Sequence, residues 1–141
     1  YEQLLDHVRR KVSERRFALG VQLIEGVSDP LEVAGGYARI AEAALQVLAR
    51  ATVEDHAQQH GRVPGGELVI LALGRLGGAA LTHASDLDLI YLFTGTIEQS
   101  SSGPKPIEAT RYFNRLAQRV TAALSVPTAA GALYEVDTRL R

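Results

Sequence analysis

Residues 67–93, ELVILALGRLGGAALTHASDLDLIYLF, constrain the fold more than any other stretch. Glu67 to Leu73 is a continuous apolar run rich in Val, Leu and Ile, and Asp86 to Phe93 is a second one. Short runs of this kind suit strands covered on both faces, and a glycine-rich turn joins them. The second run begins with two aspartates one residue apart. Strand side chains point alternately to opposite faces, so Asp86 and Asp88 share one side while Leu87 and Leu89 enter the other layer. A carboxylate next to a core must be paired, protonated or bound to a cation, because its desolvation is otherwise uncompensated. The two acids therefore call for a partner.

The rest of the chain supplies a frame for these strands. Tyr1, Leu4, Leu5, Val8 and Val12 fall at helical spacing. Ser13 is a candidate cap for a further stretch carrying Phe17, Val21 and Ile24, which predicts two helices, or one with a kink, before Gly26. Asp29-Pro30-Leu31-Glu32 combines a capping carboxylate, a proline at the first helical position and a glutamate behind it, and so starts a long Ala-rich helix running to about His60. GRVPGG, residues 61–66, ends that helix. After the strands, the polar stretch TGTIEQSSSGPK reads as an exposed connector. Ile107, Phe113, Leu116, Ala117, Val120 and Leu124 mark an amphipathic helix. Gly131 to Arg141 alternates as a third strand, with Tyr134, Val136, Thr138 and Leu140 on one side and Glu135, Asp137, Arg139 and Arg141 on the other. The predicted order is helices, strand, strand, helix, strand: an α+β domain with a mixed sheet. At 141 residues this is one domain's worth of chain, divided into a helical segment, 1–60, and a core, 61–141. A chain that opens on Tyr1 without Met and stops inside an alternating pattern reads as a piece of a longer polypeptide, its core truncated on the C-terminal side.

Several function classes fall away on composition. With 46% hydrophobic and 22% charged residues and a formal net charge of −1, the chain is neither disordered nor a basic nucleic-acid module. It contains no apolar stretch near the roughly 20 residues needed to span a bilayer, and its charged start is unlike a signal peptide, so no membrane association and a cytoplasmic location are expected. The absence of cysteine removes thiolate metal sites and a cysteine nucleophile.

The acids then point to a hard cation. Oxygen-only ligation suits Mg2+, which takes one or two carboxylates and completes its shell with water and phosphate oxygens. If the third strand lies beside the second, Asp137 becomes a third carboxylate and Arg139 comes near the phosphates. That arrangement can clamp both the attacking and the leaving oxygens of a displacement at phosphorus. Gly74, Gly77 and Gly78 allow close approach of backbone N–H groups to a triphosphate. GRLGG matches neither the P-loop nor the dinucleotide-binding pattern.

A lone Asp-x-Asp is weak, and the plain alternative for Asp86 and Asp88 is a cap at the start of a strand. For Asp137 the alternative is a salt bridge to Arg139 or another arginine. The composite says more: a strand, then Leu76-Gly77-Gly78, then Asp86-Leu87-Asp88-Leu89. This resembles the signature of DNA polymerase β-type nucleotidyltransferases. Together, ALGRLGGAALTHASDLDLIYLF, YFNRLAQRV, YEVDTRLR and IAEAAL resemble the glutamine synthetase adenylyltransferase family over nearly the whole chain. The resemblance implies a polymerase β-like fold and Mg2+-dependent transfer of AMP from ATP to a tyrosine of glutamine synthetase in nitrogen regulation, with Mn2+ able to replace Mg2+. It also implies metal ligation by Asp86, Asp88 and Asp137, a phosphate pocket shaped by Gly77, Gly78 and Ser85, and a PII-type signalling partner. In that family a related domain removes AMP by phosphorolysis, and Glu135 in YEVD sits better with the attaching half. A catalytically silent nucleotide- or partner-binding module is the alternative from another class.

Other polar groups carry plainer expectations. Arg111, Arg115 and Arg119 form a stripe at four-residue spacing, read as a solvated face, with Arg115 and Arg119 as possible phosphate contacts. His56 and His60, one helical turn apart, lack a third ligand and read as a solvent-facing pair at a helix end. His83 reads as a turn residue.

Overall fold

The computed structural model describes residues 1–138, so the expected positions of Arg139, Leu140 and Arg141 lie outside the described residues. Helix α1, Glu2–Glu25, is a single helix, not two, since nothing interrupts its hydrogen bonding at Ser13. Gly26 ends it in the left-handed region (φ 68°), its N–H reaching the carbonyls of Gln22 and Leu23. Helix α2, Pro30–His60, starts as expected, with the Asp29 carboxylate accepting from the Leu31 N–H at 2.8 Å. Tyr1 hydrogen-bonds Thr52, Leu19 lies on Gly36, and Tyr37 donates to the Arg16 carbonyl, so the two helices run antiparallel. Gly36 admits Leu19 because it has no side chain; a Cβ there would stand 3.0 Å from Leu19 Cδ1.

The sheet has the order β1-β2-β3, with β1 at Leu68–Leu73, β2 at Leu87–Phe93 and β3 at Val136–Asp137. A four-residue helix, α3 (Gly74–Gly77), occupies the glycine turn. β1 and β2 pair antiparallel, Leu68 opposite Phe93 and Leu73 opposite Asp88. β2 and β3 pair in parallel, Leu87 with Val136 and Asp88 with Asp137. Helix α4, Ala109–Ser125, lays Phe113, Leu116, Val120 and Leu124 on one face of the sheet. There Phe113 stacks on Phe93 with ring centroids 4.8 Å apart, and Tyr91 shares a 2.8 Å hydrogen bond with Thr121. Leu87 and Leu89 are essentially inaccessible in the same layer.

Three expectations change. Among the described residues the strands are covered on one face only: Leu71 and Leu73 are each 42% exposed and Leu92 48%, because α2 and α4 pack on the opposite side. The third strand starts later than its alternation suggests. The Tyr134 N–H is bound by the Leu124 carbonyl at the end of α4, and Leu133 and Tyr134 are both buried, so the chain reaches β2 only at Glu135, whose carbonyl accepts from the Leu87 N–H, and pairs with it from Val136. The connector around Ser100–Ser102 is pinned, with Ser101 buried and bonded through both backbone and hydroxyl to Ile107.

Two titratable residues of the helices are buried, where their type is rarely found. Arg9 is fully buried, donating to the carbonyls of Gly131 (2.9 Å), Ala123 (2.9 Å), Val126 (2.8 Å) and Leu5 (3.3 Å). Burial lowers its pKa, with Asp6 opposing, yet a guanidinium stays charged. It satisfies carbonyls at the end of α4, which favours a cation. His56 is also buried, correcting the solvent-facing reading: α4 covers it, Tyr112 edge-on at 4.5 Å. Burial, then His60 and Arg119, push its pKa down to about 4.

Arg9→Met should lower stability by about 3 kcal/mol or more, seen as a reduced urea midpoint, since several buried carbonyls lose their donor at about 1–3 kcal/mol each. His56 is neutral in the folded chain while the unfolded form titrates near pH 6.5. The stability this confers is complete above pH 6.5 and should decline toward pH 4; His56→Phe should flatten that part of the stability–pH profile.

Candidate active site

The site is built by register. Asp86 and Asp88 lie two residues apart and project from the exposed side of the sheet, while Leu87 and Leu89 enter the core. Because β3 pairs in parallel with Asp137 level with Asp88, all three acids share that face. Asp86, Glu135, Val136, Asp137 and Thr138 line an open depression of about 370 Å³. Asp86 is exposed, and Asp88 and Asp137 are half-buried. Among the described residues no three acidic or histidine side chains converge on a point a metal ion could occupy, so what is shared is the face and register, not a set of oxygens. The donor chemistry, carboxylate oxygen throughout, fits a hard divalent cation.

The glycine turn divides its roles. Gly74 adopts φ +57°, and a Cβ on it would collide with Oδ2 of Asp88, so its missing side chain makes room for that carboxylate. Gly77 is glycine for another reason: a Cβ would stand 2.6 Å from the Ala72 carbonyl oxygen. It lines a separate cavity of about 470 Å³ with Ile70, Leu76 and residues of α2, away from the acids. Gly78 has room for a methyl group, and the turn leaves through Ala79 at φ +56°, an uncommon angle for a residue with a Cβ. The Ser85 hydroxyl accepts from the Thr82 N–H at 3.0 Å and shares a 2.9 Å bond with the Thr82 hydroxyl, closing the turn that contains His83. The Leu81 N–H, bonded to the Ala34 carbonyl, moors this loop to α2.

Arg16 carries a role its sequence position did not signal. It reaches from α1 to the carbonyls of His83 and Leu133 and stacks over the Tyr134 ring at 5.2 Å. It thereby ties together the two segments that lead into Asp86 and Asp137. Burial raises the Tyr134 pKa, opposed by Arg16, so the ring stays neutral. Arg119 is engaged far from the acids, in an ion pair with Asp55 and over the Tyr1 ring at 5.5 Å.

A family model described as glutamate-ammonia ligase adenylyltransferase matches residues 1–141. The chain belongs to this family. Relatives of this chain include the bifunctional glutamine synthetase adenylyltransferase/adenylyl-removing enzymes of Agrobacterium fabrum, 41% identical, and Rhizobium meliloti, 42% identical, each over all of this chain and 14% of the relative. The enzyme of the same name from Xanthomonas campestris is 39% identical over 94% of this chain and 15% of its own length. The chain thus spans about one seventh of these curated relatives. Its α+β architecture with a mixed sheet accords with a nucleotidyltransferase-like fold, and no helix among the described residues is long and apolar enough to cross a membrane.

Gly74→Ala should distort the loop ahead of Asp88 and lower thermal stability by about 1 kcal/mol or more, through its left-handed backbone and the clash together. Gly78→Ala should leave the melting temperature within about 1–2 °C of the parent, within the usual spread of surface substitutions.

Proposed function

We propose that these residues form part of a catalytic centre that transfers AMP from ATP to a tyrosine hydroxyl of glutamine synthetase. The observation that carries this reading is the pairing of Asp88 with Asp137 on the face that also bears Asp86, next to the glycine turn. The names of the relatives supply the acceptor protein and the adenylyl group. Asp86, Asp88 and Asp137 would hold Mg2+, or Mn2+ in its place. Such an ion neutralises triphosphate charge and stabilises the oxygens entering and leaving phosphorus.

The chain's own residues would do the rest. The acceptor oxygen attacks the α-phosphorus, the bond to the bridging oxygen of pyrophosphate breaks, and the tyrosine proton passes to a base. Free tyrosine has a pKa of about 10, so that proton needs a nearby acceptor, and the half-buried carboxylate of Asp137 is the candidate. Gly74 leaves room for Asp88, while Arg16 holds both acid-bearing segments at their approaches. Gly77, Gly78 and Ser85 are proposed to shape the phosphate pocket through this loop, and Arg139, outside the described residues, is proposed as a phosphate contact. A PII-type protein would act as a regulatory partner, and the setting would be cytoplasmic.

In the full-length protein with Mg2+, Asp88→Asn and Asp137→Asn should each lower transfer of label from α-labelled ATP to glutamine synthetase by at least about a hundredfold, equivalent to about 2.7 kcal/mol of lost transition-state stabilisation. Melting temperatures should stay close to the parent. Transfer at parental rate in either variant overturns the assignment. Loss of phosphate-dependent AMP removal, with transfer intact, would instead place these residues in the removing reaction.

A further inference from the structure

On the side of α1 away from the sheet, α1 and α2 leave a long groove of about 590 Å³ that the site does not use. Leu4, Val8, Val12 and Leu19 form its α1 wall, following one another at steps of four, four and seven residues. Ile40, Ala44 and Val47 form the α2 wall at helical spacing, with the small side chain of the exposed Ala43 beside them. Two antiparallel helices presenting adjoining apolar stripes make the seat into which a third helix packs. The groove is open, and Val47 is 45% exposed.

The rim identifies the occupant. His7, Lys11, Arg15 and Arg39 stand along the groove, and among the described residues no acidic side chain lines it. Glu14 approaches Lys11 at 3.7 Å, but that pair is 61% and 68% exposed and contributes little. The chain as a whole carries a formal charge of −1, so this concentration of positive charge is local. We propose that the groove is a docking site for an amphipathic α-helix of a separate partner protein, its apolar stripe flanked by aspartate or glutamate. The apolar floor supplies contact area. The cationic rim sets orientation and steers a diffusing partner, which is what unneutralised rim charges do best. Bare nucleic acid is disfavoured by a floor of Leu, Val and Ala.

The probe is a helical peptide of about 18 residues, long enough at 1.5 Å per residue to span α1 from Leu4 to Gln22. It carries leucines at helical spacing and glutamates on both flanks, and a control has the same leucines with lysine flanks. The glutamate peptide should bind the 141-residue chain at least about tenfold more tightly than the control and weaken with salt. Its NMR shifts should map to Val8, Val12, Ile40 and Val47. The charge-reversing set Lys11→Glu, Arg15→Glu and Arg39→Glu, all on the surface, should invert the preference, and Val47→Asp should weaken both peptides. Equal binding of the two peptides, or shifts centred on the exposed Phe17 and Ile24, overturns the proposal. Self-association of the chain through this groove overturns it too. So does a full-length protein that ignores a peptide the 141-residue chain binds, since its own polypeptide would then fill the groove. None of these readouts depends on AMP transfer.

Discussion

The pairing register of β2 fixes what every other part of the molecule can do. Leu73 opposite Asp88 on one edge and Asp137 level with Asp88 on the other assign each side chain of the strand to a face. A slip of one residue would turn Leu87 and Leu89 outward and drive Asp86 and Asp88 into the layer packed by Leu116 and Val120. Burying two carboxylates there would cost far more than the sheet's own hydrogen bonds return. Hydrophobic packing against α4 and acidity on the opposite face are therefore one constraint seen from two sides.

The helices act on this register at a distance. Arg9 fastens α1 to the last carbonyls of α4 and to Gly131, and the chain that leaves this junction becomes β3 five residues later, after the Tyr134 N–H has bonded to Leu124. Arg16, two turns along the same helix, holds the His83 turn and Leu133. The long hairpin is thus a brace for the two strands that bear acids, and it keeps a second surface, its basic-rimmed groove, on the other side.

Much of this was legible from residue order. Asp29-Pro30 marked the start of α2, the glycine turn and Asp-x-Asp marked two strands and a shared face, and the spacing of Phe113, Leu116, Val120 and Leu124 marked α4. What escaped depends on contacts across long stretches of chain. Alternation cannot reveal that Tyr134 is held by the end of α4 instead of by the sheet. Nor does residue type reveal that Arg9 is buried, since three of its four carbonyl partners lie more than a hundred positions away. His56 looks exposed in sequence because its cover, Tyr112, belongs to α4. The apolar runs gave no sign that one sheet face is bare, since Leu71, Leu73 and Leu92 look in sequence like any core residues.

That bare face bears on the strength of the acids' field. Val69, Leu71, Leu73, Ile90 and Leu92 form a hydrocarbon shelf that runs up to Asp88. Any body that settles on the shelf displaces water and lowers the permittivity beside the carboxylates, and attraction between opposite charges a few ångströms apart grows roughly fourfold as the effective value falls from 80 to 20. Covering a greasy ledge would thereby tighten the hold on a cation without moving a single charged atom.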